Sequence, residues 1–451
     1  MKISLIMLPQ WNICQPPLGI AYLTSFLRSK GFSVIQRDLS IQLFHDLPED
    51  KKYIMESAYH LNWIHNFFEL IYPQIKDTVN KWVDEIAQSD SRVIGFSVFS
   101  TNKAITMHVI QKIKERNHEK IIVIGGPQVS RYEDGPQILE NEFVDYVVTD
   151  EGEETLYELI LGIKNNKDIR KIKGILFREG NEKIDTGERQ LINSLDTLPF
   201  PSISDFPLEY YSDLNIPILS SRGCVYRCSF CSEWVFWKYF RYRTGNNVYS
   251  EFKHHFDILG KNNFYMVDSL INGNIKELEN LCDLIISDKY LKIFWGGKAS
   301  LHPEMTSGLL RKMHAAGNRS IVYGIESGSV KVLKHMRKPF TLELAKRVMR
   351  ETHETGIAVG IFWIIGFPTE VESDFQESIQ FINEIKDYVD TVTPGYGCGI
   401  LKGSELFKDY KKYGISFKED GWYSLNTTPA IREERLKRFK EECTRLGIKM
   451  G

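Results

Sequence analysis

Ser221-Arg222-Gly223-Cys224-Val225-Tyr226-Arg227-Cys228-Ser229-Phe230-Cys231 places three cysteines at spacings of four and three residues. That spacing brings three thiols onto one tight loop. A cubic iron–sulfur cluster takes up to four thiolates, so three protein ligands leave one iron open for a substrate or cofactor. Zinc is the rival, but a structural zinc site wants four closed ligands. The other cysteines (Cys14, Cys282, Cys398 and Cys443) stand alone, and none forms a second Cys-x-x-Cys. Separate disulfides do not suit three crowded thiols or an odd total of seven.

Strand-like apolar runs flank this loop at 217–220, 263–267, 292–295, 320–325, 358–365 and 391–393, with helical stretches after most of them. They predict roughly six βα units, a partial (β/α)6 barrel whose site lies at the carboxyl ends of its strands. Upstream, runs at 2–8, 32–39, 92–98, 120–124 and 145–148 alternate with helical spacing at 18–28, 102–116 and 153–163. This α/β alternation predicts a doubly wound, Rossmann-like parallel sheet. Residues 41–90 break it. Their aromatics (Tyr53, Tyr59, Trp63, Phe67, Phe68, Tyr72, Trp82) read as the packing face of a helical insertion, or as one wall of a ligand site. Residues 173–191 read as a hairpin, and the prolines from Pro199 to Pro207 as a linker. The resulting boundaries are 1–165, a linker at 166–212, 213–412, and a short helical tail at 413–451.

Four loops close the strands of the first sheet: Pro16-Pro17-Leu18-Gly19, Phe96-Ser97-Val98-Phe99-Ser100, Gly125-Gly126-Pro127-Gln128 and Thr149-Asp150-Glu151-Gly152-Glu153-Glu154. Glycine and short hydroxyl residues there let a ligand approach the backbone. No Gly-x-Gly-x-x-Gly follows the first run, which disfavours a dinucleotide. A net charge of −2 over 451 residues gives no support for a nucleic-acid or membrane partner. No apolar run approaches a membrane span, so the chain reads as cytoplasmic, where thiols stay reduced.

The cysteine spacing, with an aromatic before the third cysteine, resembles the signature of radical S-adenosylmethionine (SAM) enzymes. The resemblance implies a 4Fe-4S cluster on Cys224, Cys228 and Cys231, SAM on the open iron, and Phe230 beside the adenine. Three strand ends extend it. Asp268-Ser269 matches the contact to SAM's amino group. Tyr323-Gly324-Ile325-Glu326-Ser327-Gly328-Ser329 carries Glu326 and Ser327 to SAM's ribose or carboxylate. Ile364-Ile365-Gly366-Phe367-Pro368-Thr369-Glu370 brackets the adenine through Ile365, with Glu370 read as a helix cap. Lys298 points to the same edge, and a surface lysine explains it equally well. Pro394-Gly395-Tyr396-Gly397-Cys398 resembles the family's last strand, whereas Lys402-Gly403-Ser404 departs from its Pro-Gly-Thr turn.

Residues 1–165 resemble the cobalamin-binding domain that precedes many radical SAM cores. The implied corrinoid contacts are Pro17, Leu18, Gly19, Asp38, Ser97, Val98, Gly125, Gly126, Pro127, Gln128, Glu151, Gly152 and Glu153. The Asp-x-His-x-x-Gly motif is absent, since Leu39 and Ser40 follow Asp38, so no histidine is expected on the lower face of the cobalt. Together the resemblances imply a cobalamin-dependent radical SAM methyltransferase acting on an unactivated carbon of a peptide or natural product, with a flavodoxin or ferredoxin as external electron donor. The alternative is a cyclase or rearrangement enzyme with the same cofactors. Methylthiolation is disfavoured by the lack of further N-terminal cysteines, and a cobalamin sensor or carrier has little use for the three thiols. The short tail implies a small substrate lid, or one supplied by a protein substrate. Trp234, Phe236, Trp237, Tyr239 and Phe240 either face an apolar substrate or simply pack.

Overall fold

A computed structural model describes every residue except Tyr132, Tyr396 and Asp420. The chain divides into two units, Met1–Pro217 and Ile218–Gly451. In the first, strands β1 (Lys2–Met7), β2 (Ser33–Asp38), β3 (Val93–Ser97), β4 (Ile121–Gly125) and β5 (Tyr146–Val148) are parallel, and the hairpin β6 (Ile175–Glu179) and β7 (Glu182–Asp185) adds antiparallel to β5. The order is β2-β1-β3-β4-β5-β6-β7, so strand order reverses beside β1 and a ligand crevice falls at the β1/β3 strand ends. The hairpin, placed in the linker by the sequence boundaries, is thus part of this sheet. β1, β3 and β4 are nearly all apolar because helices cover both faces. These helices are α1 (Leu18–Ser29), α2 (Leu39–Asp46), α3 (His60–His65), α4 (Tyr72–Gln88), α5 (Lys103–Arg116), α6 (Gly135–Ile138) and α7 (Gly152–Lys164).

The insertion at 41–90 is helical, and its aromatics mostly pack. Trp63, Phe67 and Trp82 are buried in one core with Ile6, Phe96 and Val109, and the Trp63 indole donates to Ile54 O at 2.7 Å. Phe68 is exposed.

The second unit carries a sheet ordered β18-β15-β14-β13-β12-β11-β8, parallel at every pair from β11 to β18 whose register is known. Its strands are β8 (Ile216–Ile218), β11 (Asn263–Met266), β12 (Phe294–Ala299), β13 (Asn318–Glu326), β14 (Ala358–Trp363), β15 (Thr391–Pro394) and β18 (Lys449–Met450). Six of them are the expected βα strands. The seventh, β18, comes from the segment read as a tail; two exposed residues carry too little pattern to announce a strand. Helices α9 (Gly245–Leu259), α10 (Ile275–Ser287), α11 (Ser307–Ala315), α12 (Val330–Met336), α13 (Leu342–Glu354), α14 (Glu372–Ile385) and α16 (Pro429–Arg445) follow the strands. Short elements complete it: α8 (Glu233–Trp237), α15 (Glu405–Lys408), the ribbon β9 (Ser221–Arg222) with β10 (Arg241–Tyr242), and the ribbon β16 (Ser416–Lys418) with β17 (Gly421–Tyr423). Among the described residues no helix is long and apolar enough to cross a membrane.

Candidate active site

The ribbon β9/β10 closes the cysteine loop at its base, pairing Arg222 with Arg241. Gly223 leaves β9 at φ +85°, where a Cβ would lie 2.8 Å from Tyr239 O, so only glycine turns the chain here. Ser229 pins the loop from within. Its amide donates to Met336 O at 3.0 Å, its hydroxyl to His335 O at 2.9 Å, and its carbonyl accepts from Leu406 N at 2.9 Å. The Tyr226 amide donates to Cys224 Sγ at 3.5 Å. Burial pushes the Cys224 thiol up to about 11 and Cys231 up to about 12, and each feels the charge of Cys228. Three half-buried thiols that resist ionisation as free groups fit a centre whose irons displace their protons. Among the described residues no group of three or more His, Cys, Asp or Glu is gathered as a site for a single metal ion.

The strand ends bring the expected SAM-site residues to the same unit, with distinct partners. Asp268 follows β11 and is buried, which pushes its carboxyl up although Ser221 Oγ donates at 2.5 Å, Ser220 N at 3.1 Å and Ser220 Oγ at 2.7 Å. It therefore fastens the start of the cysteine segment. Ser269 Oγ donates to Glu233 Oε2 at 2.6 Å. Glu326 ends β13 at φ +69°, a strained setting for a non-glycine residue, and its Oε1 accepts from Lys338 Nζ at 3.1 Å. Both side chains are 10% exposed. Burial opposes the Lys338 charge, but Glu326, with Cys228 and Cys231, outweighs it and holds the amine above its ordinary value. The same amine lies 5.5 Å over the Phe230 ring. Ser327 faces away from this group: its hydroxyl meets Ser378 Oγ at 3.3 Å and accepts from Ser329 N. Ile365 is fully buried, and its carbonyl accepts from Cys398 N at 3.1 Å. Lys298 lies within β12.

Glu370 corrects the sequence reading. It caps no helix, for Val371 is the N-cap of α14. Its Oε1 accepts from Gly366 N at 3.1 Å and pairs with Arg435 Nη1 at 3.1 Å, closing the Gly366–Glu370 turn onto α16. Burial outweighs the arginine and pushes Glu370 up to about 7. Two ionic devices escaped notice in the sequence. One is this Arg435 pair. The other is Arg243, which donates to Leu219 O at 2.8 Å and pairs with buried Glu251 at 2.5 Å. Burial works against ionised Glu251, but Arg243 and His255 hold it below the usual range. Glu370 and Arg435 lie 65 residues apart and leave no local pattern, and Arg243 and Glu251, eight apart, fall outside the i,i+3 and i,i+4 spacings that announce a pair on one helix. Of the expected last-strand motif, Tyr396 lies outside the described residues.

In the first unit the predicted loops sit at the carboxyl ends of β1, β3, β4 and β5. Asn102 Nδ2 ties two of them together, donating to Leu8 O at 3.2 Å and Ser97 O at 3.1 Å. Gly126 adopts φ +104°, and a Cβ there would lie 2.7 Å from Val98 O. Beside Gly19 a Cβ would meet nothing within 4 Å among the described residues. Gln128 Nε2 donates to Asp134 Oδ2 at 2.8 Å, and Glu151 accepts from Ile192 N at 2.7 Å. Buried Glu153 lies in the first turn of α7. Asp38 caps α2 through Ser40 N and Ile41 N, and accepts from Tyr211 at 2.8 Å. The Trp11 ring lies 4.5 Å from Phe99, and its indole nitrogen is buried with no hydrogen-bond partner among the described residues. An orphaned donor at the β1/β3 crevice fits a site built for a bound group.

Comparison with known proteins agrees with both halves. Residues 218–382 match the radical SAM superfamily model, and residues 65–160 match the B12 binding domain model. The chain carries a radical SAM domain and a B12 binding domain. Its curated relatives include an uncharacterised methyltransferase of Pyrococcus horikoshii, 25% identical over 92% of this chain and 86% of the relative. The cytidylyl-2-hydroxyethylphosphonate methyltransferase of Streptomyces wedmorensis is 23% identical over 93% of this chain and 82% of its own. The fold is that of the radical SAM methyltransferase TsrM from Kitasatospora setae, a structure with cobalamin and a [4Fe-4S] cluster bound (TM-score 0.74, 16% identity, covering 99% of this chain and 88% of that one).

Proposed function

We propose that this chain is a methyltransferase that carries a methyl group from SAM, by way of cobalamin, to an unactivated carbon of a peptide or natural product. The pinned three-thiol loop beside the Glu326–Lys338 pair carries the reading, and the methyltransferase names of relatives aligned over nearly the whole chain favour methyl transfer over ring formation. Cys224, Cys228 and Cys231 would hold a 4Fe-4S cluster, with Phe230, Asp268, Ser269, Glu326 and Ile365 around SAM. The loops at Pro17–Gly19, Ser97–Val98, Gly125–Gln128 and Glu151–Glu153 would hold the corrinoid. When bound, these groups supply an organic radical and a transferable methyl group. The chain supplies orientation. Asp268 fixes the strand that leads into the cysteines, Lys338 fixes the Glu326 carboxylate, and Glu370 with Arg435 fixes the turn after Ile365.

We assign residues 1–165 to the corrinoid and 213–412 to the radical chemistry, in a cytoplasmic enzyme reduced by a flavodoxin or ferredoxin. Anaerobic reconstitution with iron, sulfide and hydroxocobalamin tests the reading. Expected are a bound corrinoid, and about four irons lost in Cys224→Ala/Cys228→Ala/Cys231→Ala. SAM and dithionite should then yield 5′-deoxyadenosine with S-adenosylhomocysteine. Deoxyadenosine without S-adenosylhomocysteine would turn the assignment to rearrangement; zinc in place of iron would end it.

A further inference from the structure

The cysteine loop has a second side. Residues 333–338 close on it through Ser229 and the carbonyls of His335 and Met336, and residues 401–413 close on it through Leu406 N. Gly403 abuts Val235 of α8, and the Trp234 ring lies between Arg227 at 5.6 Å and Lys408 at 5.1 Å. Residues 224–237, 333–338 and 401–413 together hold eight Lys and Arg against three carboxylates, Glu233, Glu405 and Asp409, within a chain of net charge −2, and buried Lys338 is already paired with Glu326. Arg227, Arg337, Lys408, Lys411 and Lys412 are exposed. Glu405 is only 12% exposed and already paired with Arg337 and Lys412. The same segments also expose apolar side chains: Val225, inside the cysteine loop itself, is 45% exposed, and Leu401 and Phe407 are exposed as well. Apolar side chains set among polar ones suit a protein interface, and a local excess of one sign steers a partner of the other.

We propose that this basic face docks a small acidic one-electron carrier protein that reduces the cluster through the cysteine loop. The proposal rests on the cluster assignment above. The carrier is oxidised by one electron and the cluster reduced by one; no bond forms or breaks.

The test uses the reconstituted full chain, a photoreduced flavodoxin with an acidic surface as donor, and cluster bleaching followed by anaerobic stopped flow. Arg227→Glu/Lys408→Glu should slow reduction by flavodoxin at least about tenfold at low salt. The wild-type rate should fall as salt rises while the variant's stays flat. Reduction by the methyl viologen radical cation, which needs no docking, should be unaffected. Lys437→Glu/Lys440→Glu, on exposed positions of α16, should leave the flavodoxin rate near wild type. The proposal is overturned if the first variant keeps the wild-type rate and salt dependence, if it loses the viologen rate equally, or if the α16 variant slows as much. Iron analysis before mixing separates these outcomes from a wild-type chain that takes up no cluster, which would defeat the cluster assignment itself.

Discussion

Asp38 shows how one residue reports on the crevice around it. It is buried at the end of β2, and burial raises its carboxyl from 3.8 to about 6 despite the Tyr211 hydroxyl and two amides. Below the unfolded value the group is neutral in both states and adds no penalty. Above pH 6 it is charged in both states, and the buried charge carries its full penalty. Stability therefore falls as pH rises from about 4 to about 6, by roughly 3 kcal/mol at ~1.4 kcal/mol per unit. Asp38→Asn keeps an acceptor for Ser40 N and Ile41 N and removes the titration. The first thermal midpoint, followed between pH 4 and 7, should lose this downward slope in the variant. An unchanged slope would mean that Asp38 is not its source.

At the scale of elements, the cysteine loop is held by backbone geometry as much as by its thiols. Gly223→Ala would set a Cβ 2.8 Å from Tyr239 O and 3.1 Å from Trp237 Cβ, and the Arg222–Arg241 pairing keeps that backbone from retreating. Iron bound per chain should fall several-fold while bound corrinoid stays at wild type. Gly260→Ala, also left-handed at φ +61° but with nothing within 4 Å of a Cβ, should cost about 1 kcal/mol and keep its iron. Equal iron loss in both would show that backbone strain in general, rather than this contact, empties the site. The loop was legible because metal ligands must recur at fixed short spacings. The strands were legible because parallel sheets buried on both faces read as apolar runs. Glu370 was misread for a corresponding reason. An acid near a helix start predicts a cap, and its real partner, Arg435, lies 65 residues on. Likewise Ser327 sits inside the recognisable 323–329 motif, yet its hydroxyl is taken by Ser378 of α14, a contact no local pattern signals.

At the scale of the molecule, each unit has its own sheet and its own buried cluster, one around Trp63, Trp82 and Phe96, the other around Met336, Phe367 and Trp422. The two ligand sites assigned here are built from separate units, so their stabilising effects should separate too. A group that binds only the folded state at 100 times its Kd stabilises by about 2.7 kcal/mol. For a unit of this size that raises the midpoint by roughly 5–10 °C. Calorimetry on the full chain should therefore show hydroxocobalamin moving one transition by that amount, and cluster reconstitution moving the other. The Cys224→Ala/Cys228→Ala/Cys231→Ala chain should keep the first shift and lose the second. A single transition moved by either group would mean that the units unfold together. In that case a loss of iron could no longer be assigned to the cysteine loop without first showing that the corrinoid half remains folded.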